Sequence, residues 1–348
     1  MEIHLNITFP RIPCELLTLD VMDVSGEQQT GVMHGVNKVR LSPQAEGGKV
    51  IAIDSIDLYV LLYSKHVELL MCYRHKDEAT HLDPDYCGGC YGATPPPNAE
   101  KPGCCNTCDE VREAYASVSW AFGRGENVEQ CEREHYAEKL DSQRQEGCRI
   151  EGNLRVNKVV GNFHIAPGRS FSNGNMHVHD LNNYFDTPVP GGHVFTHEIH
   201  ALRFGPQLSE EVAKKFGKKE LPWNSHHLNP LDNTEQIAHE SAYNFMYFVK
   251  VVPTSYLPLG WETRDDPNHP GDFEIGTYGH QSDGSVETHQ YSVTSHRRSL
   301  GGGDDRAEGH AEKLHARGGI PGVFFSYVSV LQITVPSPGL IHSRISRL

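Results

Sequence analysis

Residues 87–108 read Cys87-Gly-Gly-Cys90-Tyr-Gly-Ala-Thr-Pro-Pro-Pro-Asn-Ala-Glu-Lys-Pro-Gly-Cys104-Cys105-Asn-Thr-Cys108, and single cysteines follow at Cys131 and Cys148. Seven of the nine cysteines of this 348-residue chain therefore lie in one segment. Two half-sites, Cys87/Cys90 and Cys105/Cys108, are separated by fourteen residues. Such a density of cysteine predicts a small module that is held together by cross-links.

A helix is predicted directly after the last of these clustered cysteines. Thr107 is followed three residues later by Glu110, which is the pattern of a capping box. Apolar residues then recur at helical spacing on one face, namely Val111, Ala114, Tyr115, Val118 and Phe122. The pattern predicts a helix over 108–122.

A second helical segment is predicted between two sets of glycines. Gly123 and Gly125 separate it from the first helix, Asn127 with Gln130 can cap its start, and Gly147 is the residue type expected just past its end. The two segments form a cysteine-bearing helical hairpin. Because the hairpin is too short and too polar to bury a core, covalent or metal cross-links must stabilise it.

The composition limits the classes of partner. A net charge of −14 argues against binding to a phosphate backbone, so we predict no nucleic-acid partner. No signal peptide precedes Met1 and no run of 18 uncharged apolar residues occurs, which predicts a soluble chain. The most apolar stretch, 50–73, contains several charged residues and is predicted to be a strand or an amphipathic helix.

Alternating and β-branched segments indicate a fold that is mainly β. The first strand alternates Ile3, Leu5, Ile7 and Phe9 with polar residues. Further strands are predicted at 17–21, 150–156, 163–165, 194–204, 243–252, 288–294 and 323–335. Long polar connections and many glycines and prolines suit hairpin loops. We predict an antiparallel β-sandwich with an inserted cysteine-rich helical hairpin.

The residue patterns leave three interpretations of the cysteines open. They can form structural disulfides, a zinc site of the Cys-x2-Cys-x14-Cys-x2-Cys type, or a redox-active pair at Cys87/Cys90. No thioredoxin-like pattern surrounds Cys87, which disfavours the redox interpretation. The neighbours Cys104 and Cys105 are expected to reach different partners, and sequence alone does not give the connectivity.

The 22 histidines are a second group of candidate ligands. His177 and His179 share one face of a strand, as metal ligands do, and His193, His197 and His200 form another group. The segment His197-Glu-Ile-His200 is one residue too short for a metalloprotease motif. Since such histidines are usually solvated or hydrogen-bonded, we predict no metal site and no cofactor. No nucleophile motif is present, so no enzyme activity is predicted.

Several segments resemble one known family. They are 104–115 (CCNTCDEVREAY), 156–164 (VNKVVGNFH), 177–181 (HVHDL), 229–232 (NPLD) and 247–254 (YFVKVVPT). They are similar to the lumenal domain of the ER-to-Golgi intermediate compartment protein three family, the larger subunit of the endoplasmic reticulum vesicle transporter pair. The similarity extends over most of 3–327.

The resemblance implies a cargo-receptor subunit in the membranes of the endoplasmic reticulum, the ER-Golgi intermediate compartment and the Golgi. Members of this family have two spanning helices around a lumenal β-rich domain and cycle in coated vesicles. The expected partners are a smaller paralogous subunit, folded lumenal cargo, and coat proteins that bind cytosolic tails. The implied role is the retrieval of escaped resident proteins.

The chain departs from this family pattern in three places. Neither spanning helix is expected in it, the stretch 51–73 is unmatched, and the pattern changes in the tail. The predicted organisation is therefore a first part of the lumenal β-domain at 1–86, a cysteine-rich helical module at 87–148, the remaining β-domain at 149–335, and an atypical tail at 336–348.

The resemblance also implies roles for individual residues. An oxidising lumen favours structural disulfides, and Cys14 completes a set of eight cysteines that leaves Cys72 as a free thiol. Val118, Trp120 and Phe122 are candidates for a cargo-binding patch, although they can equally dock on the sheet. Asn6-Ile7-Thr8 is a glycosylation sequon if the chain enters the secretory pathway.

A receptor that loads cargo in one compartment and releases it in another needs a switch. The Golgi is the more acidic compartment, and histidine titrates closest to that interval. His177, His179 and His200 are the predicted pH sensors. The alternative is that these histidines are neutral side chains fixed in sheet contacts.

Overall fold

The computed structural model describes residues 1–26, 28–29, 32–55, 85–97, 99, 101–118, 120–173, 176–185, 192–205, 229–257, 286–300, 319–329 and 333–336. The strands within these ranges are β1 (Glu2–Phe9), β2 (Leu17–Met22), β3 (Met33–Leu41), β4 (Val50–Ser55), β5 (Gly147–Arg155), β6 (Gly161–Pro167), β7 (Ser170–Asn173), β8 (Met176–His179), β9 (His197–Phe204), β10 (Thr234–Gln236), β11 (Tyr243–Leu257), β12 (Val286–Ser299), β13 (Gly322–Ser329) and β14 (Ile333–Pro336). The helices are α1 (Cys108–Ser117), α2 (Glu129–Arg133), α3 (Tyr136–Gln143) and α4 (Asn182–Phe185), with short 3-10 helices at Cys14–Leu16 and Gln44–Glu46.

The first sheet has the strand order β10-β9-β1-β5-β3-β4 and is antiparallel throughout. Its centre is β1, in which Ile7 pairs with Ile150 on one side and with Ile199 on the other. The alternation that predicted β1 has its expected cause, because the apolar residues of this strand are buried and the residues between them are partly exposed.

The second sheet has the order β12-β11-β13-β6-β2, with β14 also paired to β11. Most neighbours in this sheet are antiparallel, as predicted, whereas β13 and β14 run parallel to β11. The cause is topological. Strand β12 runs antiparallel to β11 along one edge, and the chain then returns to the other edge of β11 in its original direction.

The two sheets pack face to face over a continuous apolar core. Phe325 stacks between Phe163 and Tyr247 within the second sheet. Across the interface, the ring of His197 on β9 contacts Phe245 on β11 at 4.8 Å between centroids. The prediction of a mainly β sandwich is confirmed.

The cysteine-rich insert is helical, with boundaries that differ from the prediction. The capping box at Thr107 and Glu110 is present, but α1 ends at Ser117 because the Trp120 N–H bonds back to the Tyr115 carbonyl. The second segment is broken into α2 and α3 at His135, which has a left-handed backbone. Asn127 does not cap α2, since it also has a positive φ and Val128 takes the cap position without a side-chain bond.

The predicted helical segment up to about Gly147 ends earlier in the structure. Gly147 does not terminate a helix, because it begins β5, where a Cβ atom would lie 3.0 Å from the Phe9 carbonyl oxygen. Cys148 is therefore a residue of the first sheet, and the helical part of the module ends with α3.

Three earlier predictions fall wholly or partly outside the described residues. Cys72 and most of 51–73 are not described, and neither are 337–348 of the tail. The described start of the apolar stretch is β4, an edge strand whose side chains are mainly exposed. Among the described helices, none combines the length and the apolar character that a bilayer crossing requires.

Candidate functional site

All eight described cysteines form disulfides. The pairs are Cys14–Cys148, Cys87–Cys104, Cys90–Cys105 and Cys108–Cys131. Three of the four lie within the insert, and the fourth joins the first sheet to the connection that precedes β2. Cys104 and Cys105 have different partners, as their adjacency led us to expect.

This connectivity disagrees with both alternatives to structural disulfides. Cys87 and Cys90 belong to two separate bridges and do not form a CxxC disulfide with each other. Every cysteine of the two half-sites is already bonded to another sulfur, so no thiolate among them remains for zinc.

A buried glutamine fills the interior of the insert. The Gln130 amide donates to the carbonyls of Gly89 and Cys105, and its oxygen accepts from the Tyr91 hydroxyl at 2.9 Å. The Cys105 N–H in turn donates to the Gly88 carbonyl. These bonds hold the two cysteine-bearing loops against α2.

A surface cleft lies where this insert meets the sandwich. Glu15, Arg112, Trp120, Phe122, Arg169 and Asp180 are among the residues that line it. Trp120 is 46% exposed, whereas Phe122 and Val118 are partly buried against the core. Tyr115 supports both aromatic rings with edge contacts, at 5.6 Å to Trp120 and 5.3 Å to Phe122. Of the three predicted patch residues, Trp120 and Phe122 reach the cleft.

Charged side chains fix the walls of the cleft. Arg112 pairs with Glu15 at 2.9 Å, and Arg169 pairs with Asp109 of α1 at 3.2 Å. One carboxylate oxygen of Asp180 accepts from the backbone N–H groups of Phe122 and Gly123, at 2.8 and 3.2 Å. The loop that presents the aromatic residues is thus anchored to the residue that follows β8.

The predicted histidine pair belongs to a second cluster, on the outer face of the second sheet. Asp20 on β2 and His164 on β6 are direct partners in the sheet. The β7–β8 hairpin brings His177 and His179 to them, and ligand atoms of all four residues lie within 4.8 Å of one another. Sequence reasoning found the pair on β8 and missed Asp20 and His164, because only the strand register brings these two residues together.

Burial controls the protonation of this cluster. It lowers the pKa of His164 to about 3 and the pKa of His179 to about 4. Burial opposes the ionisation of Asp20, but the close approach of His177, His179 and His164 outweighs this effect and lowers the pKa of this carboxyl. Burial therefore favours the neutral form of His179, and pH sensing at His177 and His179 stays a prediction.

The remaining candidate histidines are apart from the cluster. His200 lies in the first sheet, 2.8 Å from the Thr8 hydroxyl and 3.5 Å from Glu198, with about a third of its side chain exposed. Burial lowers the pKa of His193 and, to about 4, that of His197. The prediction of pH sensing at His200 stays a prediction, which cargo binding at two pH values would test.

Asn6 of the sequon lies in the middle of β1 and is half-buried. Its Oδ1 atom is shielded from solvent and has no hydrogen-bond partner within the described residues. Glycosylation at Asn6 stays a prediction, for which a mass shift on glycosidase treatment is the direct measurement.

Fold and cross-links define a disulfide-bonded β-sandwich with a cysteine-rich insert, a class of protein that matures in oxidising compartments. Comparison with known families gives the narrower assignment. The profile of the endoplasmic reticulum vesicle transporter family matches residues 90–337, and that of the Endoplasmic Reticulum-Golgi Intermediate Compartment (ERGIC) family matches 1–30. The chain belongs to the endoplasmic reticulum vesicle transporter family.

Individual relatives agree with this assignment. The ER-derived vesicles protein ERV46 of Saccharomyces cerevisiae is 34% identical, over 96% of this chain and 72% of the relative. The probable endoplasmic reticulum-Golgi intermediate compartment protein 3 of Dictyostelium discoideum is 36% identical, over 94% and 68%. The ER-derived vesicles protein 41 of Schizosaccharomyces pombe is 29% identical, over 55% of this chain and 40% of its own length.

A solved structure, that of Erv41p, aligns with a TM-score of 0.40 and 18% identity over 96% of this chain and 92% of that one.

Proposed function

We propose that this chain is the lumenal part of a non-catalytic cargo-receptor subunit that cycles between the endoplasmic reticulum and the Golgi and returns escaped resident proteins. Membership of the vesicle transporter family supports the trafficking role. The four disulfides support a lumenal position, because disulfides persist in oxidising compartments and are rare in the cytosol.

The observation that carries the binding function is the cleft between insert and sandwich. An exposed tryptophan beside fixed arginine and carboxylate side chains suits recognition of a protein surface, since aromatic residues and arginine dominate the energetic centres of interfaces. We place cargo on Trp120 and Phe122. Val118 packs partly on the core and does not line the cleft.

The proposed assembly pairs this chain with a smaller paralogous subunit. The relatives include both an ERV46 and an ER-derived vesicles protein 41, and the second matches only about half of this chain. Coat proteins would bind cytosolic tails of the assembled receptor. Residues 31–89 lie outside both matched profiles, so we assign no shared function to them.

A single truncation tests the cleft. We expect Trp120→Ala to weaken cargo binding by roughly tenfold or more, because removal of an aromatic anchor at an interface typically costs about 1.4 kcal/mol or more. The variant is expressed as a membrane-anchored protein in cells that lack the endogenous homologue. Capture of a resident enzyme and its escape into the medium are then measured.

Phe248→Ala is the matched control. Phe248 is also an aromatic side chain about half exposed, but it lies on β11, outside the cleft. We expect this variant to bind and retain cargo as the unmodified protein does. Equal retention by both variants would place the cargo site elsewhere, and an equal loss in both would show that the effect is not specific to the cleft.

A further inference from the structure

Four side chains converge on one point between the second sheet and the β7–β8 hairpin. The Nε2 atom of His179 lies 3.2 Å from that of His164 and 3.1 Å from that of His177. The Asp20 Oδ2 atom lies 3.7, 3.5 and 3.4 Å from the Nε2 atoms of His164, His177 and His179. Asp20, His164 and His179 are almost completely buried, and the His177 side chain is 12% exposed.

These five separations, 3.1–3.7 Å, are close to the edge length of a metal coordination tetrahedron, and all four ligand atoms lie within 4.8 Å of one another. Ligand atoms that surround a zinc ion at its usual bond lengths of about 2.0–2.1 Å are about 3.3 Å from one another. We propose that Asp20, His164, His177 and His179 form a tetrahedral binding site for a Zn²⁺-class transition-metal ion. The inference depends on this geometry and is independent of the proposed cargo cleft.

Neighbouring groups orient two of the ligands as a metal site requires. The Asp20 Oδ1 atom accepts from the Gln28 amide at 2.5 Å and from the Ser170 hydroxyl at 2.8 Å, which turns Oδ2 towards the imidazoles. The His179 Nδ1 atom lies 3.2 Å from the Gly168 carbonyl oxygen. Because a carbonyl only accepts, this contact places the proton on Nδ1 and leaves the Nε2 lone pair facing the site.

The buried carboxylate oxygen points to a cation. Asp20 Oδ2 is buried and makes no hydrogen bond within the described residues. It faces the His179 Nε2 lone pair at 3.4 Å, so two acceptors confront each other in a site almost closed to water. A buried, unsatisfied acceptor costs free energy, and a metal ion bound between these groups would satisfy Asp20 Oδ2.

The donor set selects the class of metal. Three imidazole nitrogens and one carboxylate oxygen suit zinc and similar first-row ions, whereas Ca²⁺ and Mg²⁺ prefer oxygen ligands in larger numbers. Four protein ligands leave no open coordination position, which is typical of a structural rather than a catalytic site. His177, the ligand with the most exposed side chain, marks the side from which an ion can enter.

At this location a bound ion would stabilise the β7–β8 hairpin. The hairpin of β7 and β8 has only four residues in each strand, and isolated two-stranded hairpins are marginally stable. Metal bonds from β8 to β2 and β6 would fasten it to the sandwich. Asp180, which anchors the loop at Phe122, follows directly in the chain after His179.

The test uses the disulfide-bonded chain without a histidine tag. After removal of metal with a chelator, it is titrated with Zn²⁺ by calorimetry and with Co²⁺ by visible absorption. We expect one ion per chain, the intense absorption of tetrahedral Co²⁺, and no displacement by Ca²⁺ or Mg²⁺. Absence of stoichiometric Zn²⁺ binding by this folded chain would overturn the proposal.

Ligand variants locate the ion. His177→Ala and Asp20→Asn are each expected to weaken Zn²⁺ binding by at least roughly tenfold, since even residues behind the ligands contribute that much at metal sites. His200→Ala is the control, because His200 lies in the other sheet, and it should bind as the unmodified chain does. An unchanged disulfide map and circular dichroism spectrum show that a variant is folded. If folded His177→Ala binds Zn²⁺ as tightly as the unmodified chain does, the proposal is also overturned.

Discussion

His197 shows how one buried side chain makes the fold sensitive to pH. Its Nδ1–H donates to the Phe195 carbonyl at 2.8 Å, and its Nε2 atom is 2.8 Å from the Tyr247 hydroxyl, which can donate to it. The neutral ring therefore satisfies both contacts, of which the one with Tyr247 joins the two sheets. Burial lowers the pKa of His197 to about 4, so the folded protein resists protonation at this position.

This pKa predicts a loss of stability in acid. As the pH falls, the unfolded chain binds a proton at His197 near pH 6.5, well before the folded chain does. The contribution of His197 to the free energy of unfolding is therefore fully present above pH 6.5 and is lost as the pH falls towards 4. One such group contributes about 1.4 kcal/mol per pH unit, or roughly 3 kcal/mol over the whole interval. Denaturant unfolding of the disulfide-bonded chain between pH 7 and 4.5 measures the slope.

In His197→Gln, the free energy of unfolding should change less steeply with pH, because one titrating group has been removed. His200→Gln is the matched control, because it makes the same substitution on the same strand at a partly exposed ring that does not contact Tyr247. Equal slopes in all three proteins would show that His197 does not titrate differently in the folded and unfolded states.

At this scale the sequence predicts residue types and faces but not distant partners. The period of two placed His177 and His179 on one face of a strand. It gave no indication that Asp20 and His164 lie opposite them, because this depends on the pairing of β2 with β6 and on the docking of the hairpin. The burial that holds His179 neutral is likewise a tertiary property.

The cysteine-rich insert shows what local sequence controls at the scale of elements. The capping box fixed the start of α1 correctly, because both of its bonds form within four residues. The end of α1 and the break between α2 and α3 were not predictable in this way. Both depend on how the aromatic loop and the disulfides pack around the helices.

Gln130 gives a test of how the insert is held together. Gln130→Leu removes the donor to two carbonyls and the acceptor for Tyr91, and each buried polar group left without a partner costs about 1–3 kcal/mol. We expect faster amide hydrogen exchange at 86–92 and 104–108, with the core strands of the sandwich unchanged. Exchange followed by mass spectrometry measures both regions.

Gln143→Leu is the control for this substitution. Gln143 is the last residue of α3 and is only half-buried, so the same change of side chain should leave exchange in the insert unaltered. Protection at 104–108 that survives Gln130→Leu would mean that the disulfides alone hold these loops.

At the scale of the whole molecule, the sequence predicted the class of fold but not the complete topology. Alternation in β1 and β2 and the β-branched segments were sufficient for a sandwich. The parallel pairing of β11 with β13 was not visible in the sequence, since period and composition do not reveal which edge a returning strand joins. The partner of Cys148 was equally hidden, because Cys14 is 134 residues away in the chain.

The Cys14–Cys148 disulfide is therefore expected to stabilise the sandwich as a whole. It links the connection leading into β2 of the second sheet to β5 of the first sheet. Closure of a loop of this length restricts the unfolded chain by an amount worth about 5 kcal/mol, and removal of native disulfides typically costs about 2–5 kcal/mol. We expect Cys14→Ala with Cys148→Ala to lower the free energy of unfolding by that range and to speed exchange in β1 and β6.

The paired control is Cys108→Ala with Cys131→Ala. This bridge spans only 23 residues and lies wholly within the insert, so its loss should expose α1 and α2 to exchange and leave β1 and β6 protected. Alanine is used because these cysteines are buried and a serine hydroxyl would add an unsatisfied polar group. If both pairs loosen β1 and β6 equally, the insert and the sandwich unfold as one cooperative unit, and the position of a bridge matters less than its presence.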